Sequence, residues 1–320
     1  MVETSVPFYL LLPLGSAMIY ALSTLFLKRG LKEGARLRQA VHLTNIAVGI
    51  VVCPLYLFQK DPVVWNLIWQ PIAMSFVFYG AGWMTVWAMR QGDVSLVTPV
   101  MGTKVVFVAL GSAFLLGEEL PLFLVVAVGL TAVGIFVLGI PDIAKSNATF
   151  GPAILLAMLS AMMFATCDLM VKEWAIPFGK HAFIAVASNG VAIISMLDIA
   201  LSRLPGREPY PRAMPKTRFW IWGSALLTAM QALIIGVVLA TTGDATGVNV
   251  VYASRGLWAI LLVWAVGHHF ANRERHEAGK FFVWRVVGAS MLTLAVFLAV
   301  IARSEHAEPL PVATIPELEP

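Results

Sequence analysis

Residues 92–104 read GDVSLVTPVMGTK and residues 243–255 read GDATGVNVVYASR. Gly92 meets Gly243, Asp93 meets Asp244, and Lys104 meets Arg255. A second pair of stretches agrees at a slightly smaller shift: SAMIYALSTLFLK (16–28) aligns with SAMMFATCDLMVK (160–172). The same shift sets Asn45 opposite Asn189. The chain therefore reads as two related halves.

Composition places both halves in lipid. Of 320 residues, 59% are hydrophobic and 12% charged, whereas an ordinary soluble protein carries about 25% charged residues. The apolar residues come in blocks long enough for a helix to cross about 30 Å of hydrocarbon. Apolar continuity with Pro, Gly and charge punctuation predicts spans near 7–27, 39–58, 71–89, 94–116, 121–140, 151–174, 181–202, 219–240, 246–270 and 280–302. The expected fold is an all-α membrane protein of ten transmembrane helices, built as two inverted five-helix repeats. The expected division is an N-terminal tail (1–6), a first repeat (7–140), a linker (141–150), a second repeat (151–302) and a disordered acidic tail (303–320). The opening MVETSVPFYL lacks a basic leader, so the first span is expected to be retained.

Charge sets the orientation. Apart from Lys104 and Arg255, the odd-numbered loops hold sixteen Lys and Arg, and the termini and even loops hold four. The positive-inside rule then puts the odd loops in the cytoplasm and both termini outside. Five spans per half force the second copy to enter the membrane upside down. That pattern marks secondary transporters whose site lies near the midplane between the halves.

Lys104 stands near the middle of its span, too deep to reach the interface, where a cation costs about 2.5–3.5 kcal/mol. Arg255 takes the matching place in the ninth span. Two cations facing one cavity suit an anion, Arg through paired hydrogen bonds and Lys as a point charge; an internal ion pair is the alternative. Tyr252 and Trp258 share the helix face of Arg255 at i−3 and i+3, as substrate walls or cation–π partners. Asn45 and Asn189 face a cavity or join helices. Asp244, and Asp93 before it, are expected helix caps, with Ser95 and Thr246 as alternatives. Glu118 and Glu119 read as interfacial, and Gly129, Gly134 and Gly288 as close-approach points for packing or a homodimer.

The stretches AMRQGDVSLVTPVMGTKVVFVALGSAFLLGEEL (88–120) and LATTGDATGVNVVYASRGLWAILLVWAVG (239–267) resemble the EamA-like branch of the drug/metabolite transporter (DMT) superfamily. The second copy departs from the first: Val250 stands where Pro99 does, and Glu274 lies beyond the acidic position. The resemblance implies the ten-span fold, a cell inner membrane location and no cofactor, and it leaves the substrate open. It also implies that Tyr20, Trp83 and Gln231 stand in cavity-lining spans. On the family topology, Asp168 lies about six residues from the outer end of the sixth span. It is expected to pair with Lys172 or Arg255, Lys104 being further away in depth, or else to couple protons.

The expected function is secondary transport of a small anionic or zwitterionic metabolite, with a proton or an exchanged counter-solute as coupling partner. The alternative is export of neutral or cationic solutes, with Arg255 neutralised by Asp168. Neither reading needs nucleic acid. The sequence has no HExxH motif, phosphate-binding glycine loop or nucleophile elbow, so no enzyme is expected. The adjacent His268 and His269 diverge by about 100° on a helix and make a poor metal pair. Cys53 and Cys167 form no readable framework.

Overall fold

A computed structural model describes residues 8–91, 97, 100–143, 150–205, 210–211, 214–266 and 282–305. Gly92, Asp93, Ser95, Pro99, His268, His269, Glu274 and both tails lie outside the described residues. Within them, all regular structure is helical: α1 (Leu11–Lys32), α2 (Leu37–Val52), α3 (Trp69–Gln91), α4 (Lys104–Phe114), α5 (Leu122–Ile143), α6 (Phe150–Phe178), α7 (Lys180–Leu201), α8 (Pro215–Thr242), α9 (Ala245–Tyr252), α10 (Arg255–Val266) and α11 (Phe282–Glu305). Seven helices are long and apolar enough to cross a membrane; α4 and the apolar part of α11, Val286–Ala302, are shorter. The expected ninth span is two helices, α9 and α10.

Local chemistry sets the boundaries. Gly34 takes a φ of 101° in the turn between α1 and α2, a conformation that a side chain would resist. Pro215 opens α8, where its missing N–H costs nothing. Gly243 closes that helix with a φ of 65°, in the left-handed region. Asp244 then caps α9, its carboxylate accepting the Gly247 N–H at 2.9 Å, as the sequence predicts. Thr246 is not the cap; its hydroxyl lies 3.4 Å from that of Ser112.

Lipid tails are as apolar as leucine, so helices in a membrane associate by close packing of small residues. On α6, Ala153, Ala157, Ala161 and Ala165 form one fully buried stripe at four-residue spacing. Packing partners exchange between the halves. The first helix, α1, packs on α8, while α6, which carries the matching sequence, packs on α3. The aligned serines bond alike: Ser16 donates to the Gln231 carbonyl at 3.2 Å, and Ser160 to the Ala81 carbonyl at 2.8 Å. Helix α2 packs against both α7 and α8.

Helices α5 and α11 pair through Gly134 and Gly288. A Cβ on Gly288 would lie 2.9 Å from the Gly134 carbonyl oxygen and 2.7 Å from Leu138 Cγ. These two glycines thus serve packing within the chain, whereas Gly129 has nothing within 4 Å of its notional Cβ. Overpacking of this kind costs about 1–3 kcal/mol. Gly288→Val is expected to lower the Tm of the detergent-purified protein by several degrees, and Gly129→Ala to leave it unchanged, in a fluorescence melt.

Candidate functional site

Both intramembrane cations stand just past a break in a helix. Val100 and Met101 are helical, Gly102 and Thr103 form a turn, and Lys104 starts α4. Likewise α9 ends at Tyr252, Ala253 and Ser254 turn, and Arg255 starts α10. At each break the hydrogen bonds tighten from i−4 to i−3: Thr103 N–H donates to the Val100 carbonyl at 3.0 Å, and Ser254 N–H to that of Val251 at 3.1 Å. Such mid-helix turns commonly mark functional hinges. A cation on the first residue of a helix also opposes the macrodipole, whose N-terminal end favours anions. Each cation therefore needs a compensating partner.

Lys104 has one. Its Nζ lies 2.7 Å from Asp168 Oδ2, both side chains being largely buried. Asn249 of α9 donates its Nδ2 hydrogens to the same oxygen at 2.6 Å and to the Ala245 carbonyl at 2.9 Å. One carboxylate thus ties α6 to both broken spans. This corrects the expected pairing of Asp168 with Lys172 or Arg255; Lys172 turns instead to Glu118, beyond the end of α4. The reason is depth. Helix α6 runs to Phe178 rather than ending near 174, so Asp168 is ten residues from its end, as Lys104 is ten from Phe114.

Arg255 is held differently. Its guanidinium carbon lies 5.2 Å from the Tyr20 ring centroid and 4.9 Å from that of Tyr252, within cation–π range. The two rings meet edge to face at 6.0 Å. Among the described residues no carboxylate lies within ion-pairing distance of Arg255. Two neighbours are also unsatisfied: the Ser254 hydroxyl and the Trp258 indole nitrogen are buried without a hydrogen-bond partner among the described residues. Buried indole N–H groups usually find an acceptor. Around Arg255, then, a guanidinium held between two tyrosines stands beside an indole N–H that has no hydrogen-bond partner among the described residues.

The remaining expected site residues fall elsewhere. Asn45 donates to the Ser195 hydroxyl at 2.9 Å, joining α2 to α7. On α7, Asn189 donates to the Ala185 carbonyl at 2.8 Å and meets Cys53 Sγ at 3.6 Å. The structure engages both amides along the α2–α7 seam. Gln231 lies on α8, its carbonyl accepting the Ser16 bond. Trp83 belongs to a further cluster, where α2 begins. There Arg38 Nη2 lies 3.1 Å and His42 Nε2 2.9 Å from Asp198 Oδ2, and the Trp83 ring takes Arg38 at 5.7 Å. His42 is fully buried. The sequence reading missed this cluster and Asn249. Their signals were a histidine inside an apolar span and a lone amide six residues before Arg255. Among the described residues no group of His, Cys, Asp and Glu has the makings of a metal site.

Residues 7–140 match the model of the EamA-like transporter family. That stretch is thus similar to EamA-like transporters, and the described residues hold seven helices long and apolar enough to cross a membrane. A solved structure described only as "Crystal structure of protein" is similar to it, with a TM-score of 0.73 and 16% identity over 93% of this chain and 99% of the other. That likeness speaks for the fold alone. A search of the curated proteins found no match.

Removing one member of a buried pair strands the other charge at a cost of about 3–5 kcal/mol, while replacing both can be neutral. Lys104→Met and Asp168→Leu alone are each expected to destabilise the protein markedly. The double variant is expected to melt above either single variant in the same thermal assay.

Proposed function

We propose that the chain is a secondary transporter that moves a small solute bearing one negative group, a carboxylic acid or a zwitterion, by alternating access. The observation that carries this reading is the charge balance around the two helix breaks. Lys104 and Asp168 cancel, and Arg255 adds one positive charge that no described carboxylate answers. A carboxylate on the solute would take the guanidinium through two parallel bonds, and the Trp258 indole N–H supplies a third donor. For a zwitterion, Asp168 is the acceptor available to the ammonium group. Tyr20 and Tyr252 would wall the solute.

Two inverted five-span repeats, 7–140 and 151–302, suit this mechanism. The exchanged packing of α1 on α8 and α6 on α3, the matched serine bonds and the matched breaks before Lys104 and Arg255 all support them. The charge bias supports an inner-membrane orientation with both termini outside, and the driving force would be a proton gradient or an exchanged counter-solute. The engagement of Asp168 by Lys104 and Asn249 counts against export of neutral or cationic solutes past an Arg255 neutralised by that acid.

Uptake into proteoliposomes tests the reading. A panel of labelled carboxylates, amino acids and sugar phosphates is expected to yield a monoanionic or zwitterionic substrate. Losing a buried charge-assisted contact costs about 2 kcal/mol or more, so Arg255→Gln is expected to raise KM about 30-fold. Anion uptake indifferent to that change, or selective uptake of cations, would overturn it.

A further inference from the structure

We infer that His42 is a proton-binding site in the α2–α7 seam, and that its protonation shifts the equilibrium between closed and open forms of that seam. The inference rests on the alternating-access reading above. It stands on the geometry of the cluster. His42 is completely buried in the first turns of α2, and Asp198 reaches it from the last turn of α7. In the two-repeat reading α2 belongs to the first half and α7 to the second. The contact therefore lies across the seam that must part when the halves rock. The charge bias of the loops puts it at the cytoplasmic end.

Among the described residues, groups from three elements and a connection surround the imidazole. Arg38 approaches from α2 itself and shares the Asp198 oxygen at 3.1 Å. From α3 come the rings of Tyr79 and Trp83, with centroids 6.3 Å and 6.0 Å from the imidazole, and from the α7–α8 connection comes Tyr210 at 5.7 Å. Helix α8, which also packs on α2, brings no charged group into ion-pairing distance of His42 among the described residues. Nε2 lies 2.9 Å from Asp198 Oδ2, while Nδ1 has no hydrogen-bond partner among the described residues. A buried imidazole nitrogen without a partner is unusual, since buried polar side chains are nearly always bonded.

Parting α2 from α7 would change all of this together. Water would reach both nitrogens, and the Asp198 and Arg38 charges would move away from the ring. The closed and open forms must then hold the imidazole proton with different affinity. Linkage requires that an equilibrium between two forms with different proton affinity depends on pH. Histidine is the side chain suited to act so between about pH 5 and 8. The seam thus separates proton binding from solute binding: the solute at the helix breaks, the proton at the end of α2.

Distances between spin labels test this without any solute, so its failure is distinct from failure of the anion reading. Labels go on Arg36→Cys and Leu201→Cys, both exposed positions, in a full-length chain carrying Cys53→Ser and Cys167→Ala. Pulsed electron–electron resonance in nanodiscs is expected to show two distance populations whose ratio changes at least about threefold between about pH 5 and 8. His42→Gln keeps the volume and a donor but cannot titrate, and the ratio should then be flat. Asp198→Asn keeps the imidazole and is expected to move the midpoint, which covers the case where His42→Gln does not fold. A wild-type ratio flat across the range, or an unchanged response in His42→Gln, would overturn the proposal.

Discussion

One carboxylate oxygen holds the middle of this molecule together. Asp168 Oδ2 receives Lys104 from α4 and Asn249 from α9. Helix α6 and the two broken spans are thereby fixed against one another. In hydrocarbon a lone charge is costly, so each of these groups constrains where the others can lie. With Lys104 and Asp168 mutually neutralised, Arg255 becomes the residual charge, and its two tyrosines hold it in place without neutralising it. The polarity of the centre follows from that arrangement.

The breaks explain why these charges sit at helix starts. A continuous helix through Gly102–Thr103 or Ala253–Ser254 would carry Lys104 or Arg255 mid-helix on an unbroken cylinder. The i−3 turns give each span a joint one residue before its cation. A rocking of one half against the other can be absorbed at such joints. The alanine stripe of α6 and the glycine contact of α5 with α11 act oppositely, as close and stiff packing.

Much of this was legible in the sequence. Apolar blocks located the seven helices long and apolar enough to cross a membrane, and aligning GDVSLVTPVMGTK with GDATGVNVVYASR pointed to the matching helix breaks before Lys104 and Arg255. The Asp244 cap and the place of Tyr252 beside Arg255 were also readable, because both are local. The pairing of Asp168 was not, because it depends on where α6 ends, and Pro177 lies inside that helix without stopping it. A helix boundary shifted by four residues moves a side chain by about 6 Å in depth, enough to exchange ion-pair partners. Asn249, and the gathering of His42 with Asp198 and Trp83, required tertiary contacts between distant segments. For Asn45 and Asn189 the sequence left open a cavity or a helix seam, because symmetry places residues equivalently without choosing between the two.

The central claim is that Arg255, and not Lys104, carries the charge that a solute meets. Calorimetric titration of the first substrate found by uptake tests it, on the double variant Lys104→Met/Asp168→Leu beside Arg255→Gln. The account predicts that the double variant still binds a monoanion with near wild-type Kd, while Arg255→Gln binds it about 30-fold more weakly. Loss of binding in the double variant with retention in Arg255→Gln would contradict it.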